Sequence, residues 1–314
     1  MKGRVMTGGT VDGGTHGRAL IQAVLVTLLW SSSAVLIKIG LADIPPLLFA
    51  GLRYGLAALC LLPLVCTRAA RSALRSLNRR DVALLVLLGL VQYAVTQGAQ
   101  FVSLHYLPAA TVSLMLAFTP MLVALASGLL LGEPVSAAHW AGLGIALAGG
   151  AVYFAGADLG RAGTMGLAVC ALGLAANAGQ TLLGRYVNRT AHLPPLLVTM
   201  PSMAIGALIL LPAGALTTPL PVLSVQNWLS VGWLAAVNTA FAFTLWNHTQ
   251  RTLPAVETSL INTSMLLQVT LMTWVVLGET PTAQQWFGIA LVLAGVITAQ
   301  LPKLRVSMPA RQGA

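Results

Sequence analysis

Several polar side chains stand in the middle of long apolar runs, and their chemistry suits binding rather than bond breaking. They are Trp30, Tyr93, Gln97, Asn177, Gln180, Asn238, Asn262 and Gln268. Tyr93, Gln97 and Gln100 follow an i, i+4, i+7 spacing, which places them on one face of a helix. Gly173, Asn177, Gln180 and Gly184 form a similar stripe. A carboxamide both donates and accepts hydrogen bonds, so such a set can meet both ends of a zwitterion. The Trp30 and Tyr93 rings add apolar area or stack on a ring or a cation. The competing reading is that these groups only tie helices together. Nothing resembles a reactive constellation: there is no HExxH or GxSxG sequence and no nucleotide-binding loop. Cys60, Cys66 and Cys170 are too scattered for a metal or disulfide framework. The chain is expected to be no enzyme and to need no cofactor.

Charges within the apolar runs are few. Arg53 lies roughly 12 Å into its run at 1.5 Å per helical residue, too deep for the surface. It is expected to hold a substrate carboxylate or to serve a structural or gating role. Lys38, near a run end, is expected to snorkel to the membrane surface. Glu257 opens a run directly after Pro254, where a carboxylate suits a helix N-terminus and a coupling proton is the alternative. Pro120 removes a backbone hydrogen bond in mid-run, giving a static kink or a gating hinge.

The elements that position these residues must be membrane helices. The sequence is 57% hydrophobic and only 8% charged, against about 25% charged for a soluble domain. Ten spans are expected, near residues 19–40, 45–66, 82–103, 109–131, 136–155, 165–184, 195–213, 227–247, 255–277 and 283–301. The net charge of +10 is distributed by topology and does not call for nucleic acid. With the N-terminus inside, 14 Lys and Arg residues fall in cytoplasmic segments and only Arg161 falls outside. Both termini are therefore expected in the cytoplasm, in a plasma (inner) membrane, multi-pass protein.

Residues 107–150 recur as residues 253–296, with 16 identities in 44 positions and no gap. The 146-residue offset superposes Leu107-Pro108-Ala109 on Leu253-Pro254-Ala255, Gly132-Glu133 on Gly278-Glu279, and Trp140 on Trp286. Five spans per copy is an odd number, so the second copy enters the membrane upside down. Glu133 and Glu279 precede Ser136 and Thr282, expected N-caps of spans 5 and 10. The small residues of those two spans suit close helix packing or a homodimer. An inverted duplication in an apolar chain points to a transporter.

The residues quoted so far, with LLWSSS and the later Lys38, PPLLFAGLRYGLAAL around Arg53, and the repeated LPA and LGE, resemble the EamA family of the drug/metabolite transporter superfamily. The resemblance covers about residues 20–301 and implies ten helices with a cavity lined by helices 1, 3, 4, 6, 8 and 9. It also implies export of amino acids or related metabolites. Here Ser31 follows Trp30, where the family often has glycine. The expected fold class is all-α integral membrane, ten transmembrane helices as two inverted five-helix repeats (5+5). Residues 1–18 form a tail, 19–155 the first repeat, 164–301 the second, and 302–314 a second tail. The expected function is secondary-active or facilitative export of small amphipathic metabolites by alternating access. Drug or toxic-compound efflux by proton antiport, or a membrane scaffold without transport, are the alternatives. Expected partners are a small-molecule substrate, the lipid bilayer, protons and a second copy of the chain, with no nucleic acid. Expected substrate contacts are the eight residues that open this section, with Arg53, Pro120 and Glu257 in gating or coupling.

Overall fold

The computed structural model of the protein describes residues 13–65, 67–131, 136–157, 160–190, 195–249, 252–253 and 261–307. Every regular element among them is helical. In chain order they are α1 (Gly13–Gly40), α2 (Pro46–Val65), α3 (Arg68–Arg75) and α4 (Arg79–Tyr106). Then come α5 (Ala109–Leu116), α6 (Thr119–Leu131), α7 (Ala137–Phe154), α8 (Gly160–Thr190) and α9 (Pro195–Thr217). The last are α10 (Val225–Trp246), α11 (Ile261–Leu277) and α12 (Ala283–Ser307). Nine helices among the described residues are long and apolar enough to cross a membrane, with α5 and α6 together making one of them. The shorter apolar α11 joins them, while residues 254–260, including Glu257, lie outside the described region. Several helices outrun the expected spans: α4 begins at Arg79 and α8 runs to Thr190. Hydropathy stops at the first charge, but the backbone ladder continues into the interface, where Asn78 closes a capping box with Asp81.

The packing relates the halves by exchange. α4 packs on α9 and α8, and α10 packs on α2 and α1. α2 pairs with α9, and α7 pairs with α12. Small residues govern the last pair: a Cβ on Gly149 would stand 2.7 Å from the Val292 nitrogen and one on Gly288 2.8 Å from the Gly149 carbonyl. The small faces of spans 5 and 10 are thus used on each other within one chain. Ser136 and Thr282 take the expected N-cap positions, bonding the His139 and Gln285 amides.

Two departures from regular helix recur in both halves. Gly89–Gln97 in α4 and Ala236–Phe241 in α10 are π-helical, and the 146-residue offset superposes them. In each, a threonine hydroxyl bonds the carbonyl five residues back, Thr96 to Val91 at 2.8 Å and Thr239 to Leu234 at 2.7 Å. The fourth span breaks at Ala117–Phe118. Pro120 has no N–H for the Leu116 carbonyl, and the Thr119 hydroxyl bonds it instead at 2.7 Å. The sequence puts a proline in only one half, yet α11 breaks as well, at Ser264. There the Ser264 hydroxyl bonds the Ile261 carbonyl at 2.6 Å. A side-chain hydroxyl satisfies the opened turn on both sides, so proline is not required for the interruption.

Lys38 does more than snorkel. Its Nζ donates to the carbonyls of Leu104 (2.7 Å) and Leu107 (2.6 Å), closing the C-terminal end of α4. Next to it, the Ala109 amide at the start of α5 donates to Glu279 Oε2 at 3.2 Å. Glu279 thereby joins the two halves, beyond the local corner read from sequence. Replacing Lys38 by methionine removes two charge-assisted bonds and is expected to cost roughly 2 kcal/mol. The check is the unfolding midpoint in detergent; an unchanged value would show that this end of α4 holds without the ammonium.

Candidate functional site

The candidate residues gather into two clusters, one at each interface between a half's first helix and the other parts of the bundle. In the first, α4, α6 and α8 meet. Asn177 Nδ2 donates to the Thr119 hydroxyl at 2.9 Å, at the break between α5 and α6. Gln180 Nε2 donates to Asn177 Oδ1 at 2.9 Å. Asn177 also faces Thr96, Gln97, Gln100, Ser103 and Cys170 across a cavity of about 40 Å³, enough for a few water molecules. Its walls carry amides and hydroxyls and no charge. Gly173 admits this close approach, since a Cβ there would lie 3.1 Å from Ala99 Cβ.

In the second cluster, α1 meets α10 and α11. Ser31 donates to Gln268 Oε1 at 3.0 Å, and Gln268 Nε2 donates to Ser264 (2.9 Å) and Thr27 (3.2 Å). Gln268 is therefore saturated as a bracket between α1 and α11. Asn238, fully buried, donates through Nδ2 to the Leu29 carbonyl and to the Ser32 hydroxyl. The Trp30 ring packs against Phe243 and Trp246, both at 5.2 Å between centroids. The buried Trp30 Nε1 and Asn238 Oδ1 find no hydrogen-bond partner among the described residues.

α2 reaches both clusters with consecutive residues. Arg53 is 5% exposed; its Nε donates to Thr239 at 2.8 Å and a terminal nitrogen to Ser33 at 3.4 Å. The Tyr54 hydroxyl donates to Gln97 Oε1 at 2.6 Å, and the guanidinium sits 5.4 Å from the Tyr54 ring centroid. Among the described residues the partners of Arg53 are two hydroxyls and a ring, none carrying negative charge. Thr239 lies in the π-helical part of α10, and Gln97 ends that of α4. One dipeptide on α2 thus holds the irregular turn of each half.

The structure brings Gln97, Asn177 and Gln180 together, and separately Trp30, Asn238 and Gln268. Pro120 stands at the break beside the first cluster, and Arg53 lies between the two. Tyr93 sits in the core at 1% exposure, its ring 5.3 Å from that of Tyr54. Asn262 is exposed, and Glu257 is not described. Sequence reasoning missed Tyr54, Thr239, Phe243 and Trp246. The repeat register held the signal for two of them: the 146-residue offset carries Gln97 onto Phe243 and Gln100 onto Trp246.

Comparison with known proteins agrees with this architecture. The EamA-like transporter family matches residues 17–155 and again residues 164–299. The "Uncharacterized inner membrane transporter YedA" of Escherichia coli is 27% identical over 281 residues, 88% of each chain. The "S-adenosylmethionine/S-adenosylhomocysteine transporter" of Chlamydia trachomatis is 27% identical over 88% of this chain and 87% of its own. A "Probable terminal-alkyne amino-acid exporter" of Streptantibioticus cattleyicolor is 27% identical over 89% and 92%. A solved crystal structure superposes with a TM-score of 0.66 at 22% identity, covering 95% of this chain and all of its own, and shares the fold. Two copies of the family domain, the apolar helices and the transporter relatives lead to one conclusion: the chain belongs to the EamA family of the drug/metabolite transporter superfamily, as a multi-pass plasma-membrane transporter of small molecules.

Proposed function

We propose that the protein exports small amphipathic metabolites, amino acids or compounds carrying an amino-acid group, by alternating access between two inverted five-helix halves. The observation that carries this reading is the uncharged, amide-lined cavity at the broken fourth span. Its carboxamides offer donors and acceptors together, which suits a zwitterion better than an ion of one sign. The printed names of two relatives point the same way, because S-adenosylmethionine and amino acids share an α-amino-carboxylate group. The cavity is too small for such a solute, so it represents a closed conformation that must widen to load. The breaks in the fourth and ninth spans supply the irregular backbone that transporters place beside a cavity. The termini sit in the cytoplasm in this reading, from the distribution of Lys and Arg. The driving force is the solute's own gradient or exchange for protons.

The test profiles extracellular metabolites from cells expressing the wild type or the Gln97→Ala, Asn177→Ala double variant at matched membrane abundance. Amino-acid-like solutes are expected to accumulate outside wild-type cells, with at least about a tenfold loss in the variant, the effect of removing one or two good polar contacts. Equal profiles for wild type, variant and empty vector, together with no flux in liposomes, would overturn the proposal.

A further inference from the structure

We infer that the arginines between the second and third spans form, with the exposed apolar face of α4 beneath them, a binding surface for an anionic phospholipid. Residues 67–81 hold Arg68, Arg71, Arg75, Arg79 and Arg80 against one acid, Asp81. That acid is engaged: its Oδ2 accepts from the Asn78 amide at 3.3 Å within the capping box. α3 is fixed at the boundary of the spans. Thr67 caps it, accepting from the Ala70 amide at 3.2 Å. Ala70, Ala73 and Leu74 pack on Val65 at the end of α2 and on Leu197 at the start of α9. Arg68 and Arg75, seven residues apart, share the opposite face of α3 and are exposed.

α4 continues this surface into the membrane. Arg79, Val82, Val86 and Leu90 follow an i, i+3, i+7, i+11 spacing, which puts them on one side of the helix, and all four are exposed. The stripe runs about 16 Å along the axis, roughly one leaflet of hydrocarbon. Beside it Arg80 is held in place: its guanidinium donates to the Tyr186 hydroxyl and lies 5.9 Å from that ring's centroid, tying α4 to α8. A guanidinium meets a phosphate through two parallel N–H bonds. Arg79 therefore stands at the level of a headgroup phosphate, with the valines and the leucine along the acyl chain below it. A soluble anion or an acidic protein would use the arginines alone, because neither reaches the apolar part of the stripe. The occupant that uses both ends is a lipid with a negative headgroup, on the side of the membrane where the Lys and Arg residues concentrate. It lies along the helix that carries Gln97 and Gln100 to the cavity.

Native mass spectrometry of the purified full chain tests this, after incubation in detergent with equal amounts of phosphatidylglycerol and phosphatidylcholine. The wild type is expected to retain phosphatidylglycerol at least about tenfold over phosphatidylcholine, from roughly fivefold per arginine near the phosphate. The triple variant Arg68→Gln, Arg75→Gln, Arg79→Gln should lose that preference. Changing Lys303, Arg305 and Arg311 to glutamine removes the same charge elsewhere in the chain and should leave the preference unchanged. The single variant Arg79→Gln, with a loss of about fivefold, replaces the arginine triple if the latter does not fold. A wild type without preference overturns the inference, as does an arginine variant that keeps it. Equal loss in both triple variants also overturns it, since summed charge and not this surface would then hold the lipid. If glycerophosphoglycerol, the same headgroup without chains, displaces the lipid at equal concentration, the apolar stripe has no part and the inference fails.

Discussion

Replacing Gly295 by valine is expected to strip the protein of about 3 kcal/mol of stability or more, a cost typical of forced overpacking. A Cβ at this position would lie 2.5 Å from the Gly142 carbonyl oxygen, 2.6 Å from the Ala146 nitrogen and 2.8 Å from Ala146 Cβ. Two of those neighbours are backbone atoms of α7, which cannot rotate out of the way. Valine adds two further methyl groups, so α7 and α12 must separate along their whole shared face. In lipid, that contact is held by close packing rather than by expulsion of water, so lost complementarity has no substitute. The unfolding midpoint in detergent should fall by about 5–10 °C, at some 2–4 °C per kcal/mol for a chain of this size. Gly144→Val is the control: it lies on α7, the helix that packs on α12, and a Cβ there meets nothing within 4 Å. Its midpoint should match the wild type. Equal midpoints for both variants would mean that α7 and α12 do not pack through Gly295.

Arg53→Met is expected to abolish most export while leaving the protein folded. Methionine replaces the guanidinium with an apolar chain of comparable reach. The hydroxyls it leaves remain satisfied, because Thr239 already donates to the Leu234 carbonyl (2.7 Å) and Ser33 to the Leu29 carbonyl (3.2 Å). No buried polar group is orphaned, and an isolated buried charge is removed, so stability should hold or rise. What disappears are the ties from α2 to the π-helical turn of α10, through Thr239, and to α1, through Ser33, each a bond to a charged group worth about 1.5–3 kcal/mol. A loss of about 10–100-fold in export rate at wild-type abundance would place Arg53 in coupling between the halves. Arg53→Lys should not restore the rate, since one ammonium lacks the fork that spans Ser33 and Thr239. Wild-type export by Arg53→Met would remove Arg53 from the mechanism, and failure to fold would make it a brace.

These outcomes bear on how much was legible beforehand. The helical fold follows from hydropathy, because a backbone in lipid must satisfy its own hydrogen bonds and a run of about 20 apolar residues can do so only as a helix. The duplication was visible because Pro, Glu and Trp recur at one offset. The membership of the candidate site was legible only in part. Polarity at mid-depth pointed to Gln97, Asn177, Asn238 and Gln268, but polarity says nothing of partners. Gln268 is saturated by Ser31, Thr27 and Ser264, whereas Gln97 and Asn177 border open space. Tyr93 shares a helix face with Gln97, and both meet Tyr54, the Tyr93 ring at 5.3 Å between centroids and Gln97 through its Oε1, but Tyr93 is packed in the core while Gln97 also borders the cavity. A shared face does not say which of its residues ends against a ring and which against open space.

By itself, then, the sequence determined the solvent, the all-helical class and the internal repeat, since each depends on composition or on identity at a fixed spacing. The tertiary structure alone decided which polar groups tie helices and which face a cavity, because that depends on which helix lies opposite. It also decided that consecutive residues of α2 reach both clusters. Such relations join positions far apart in the chain, and no local pattern encodes them.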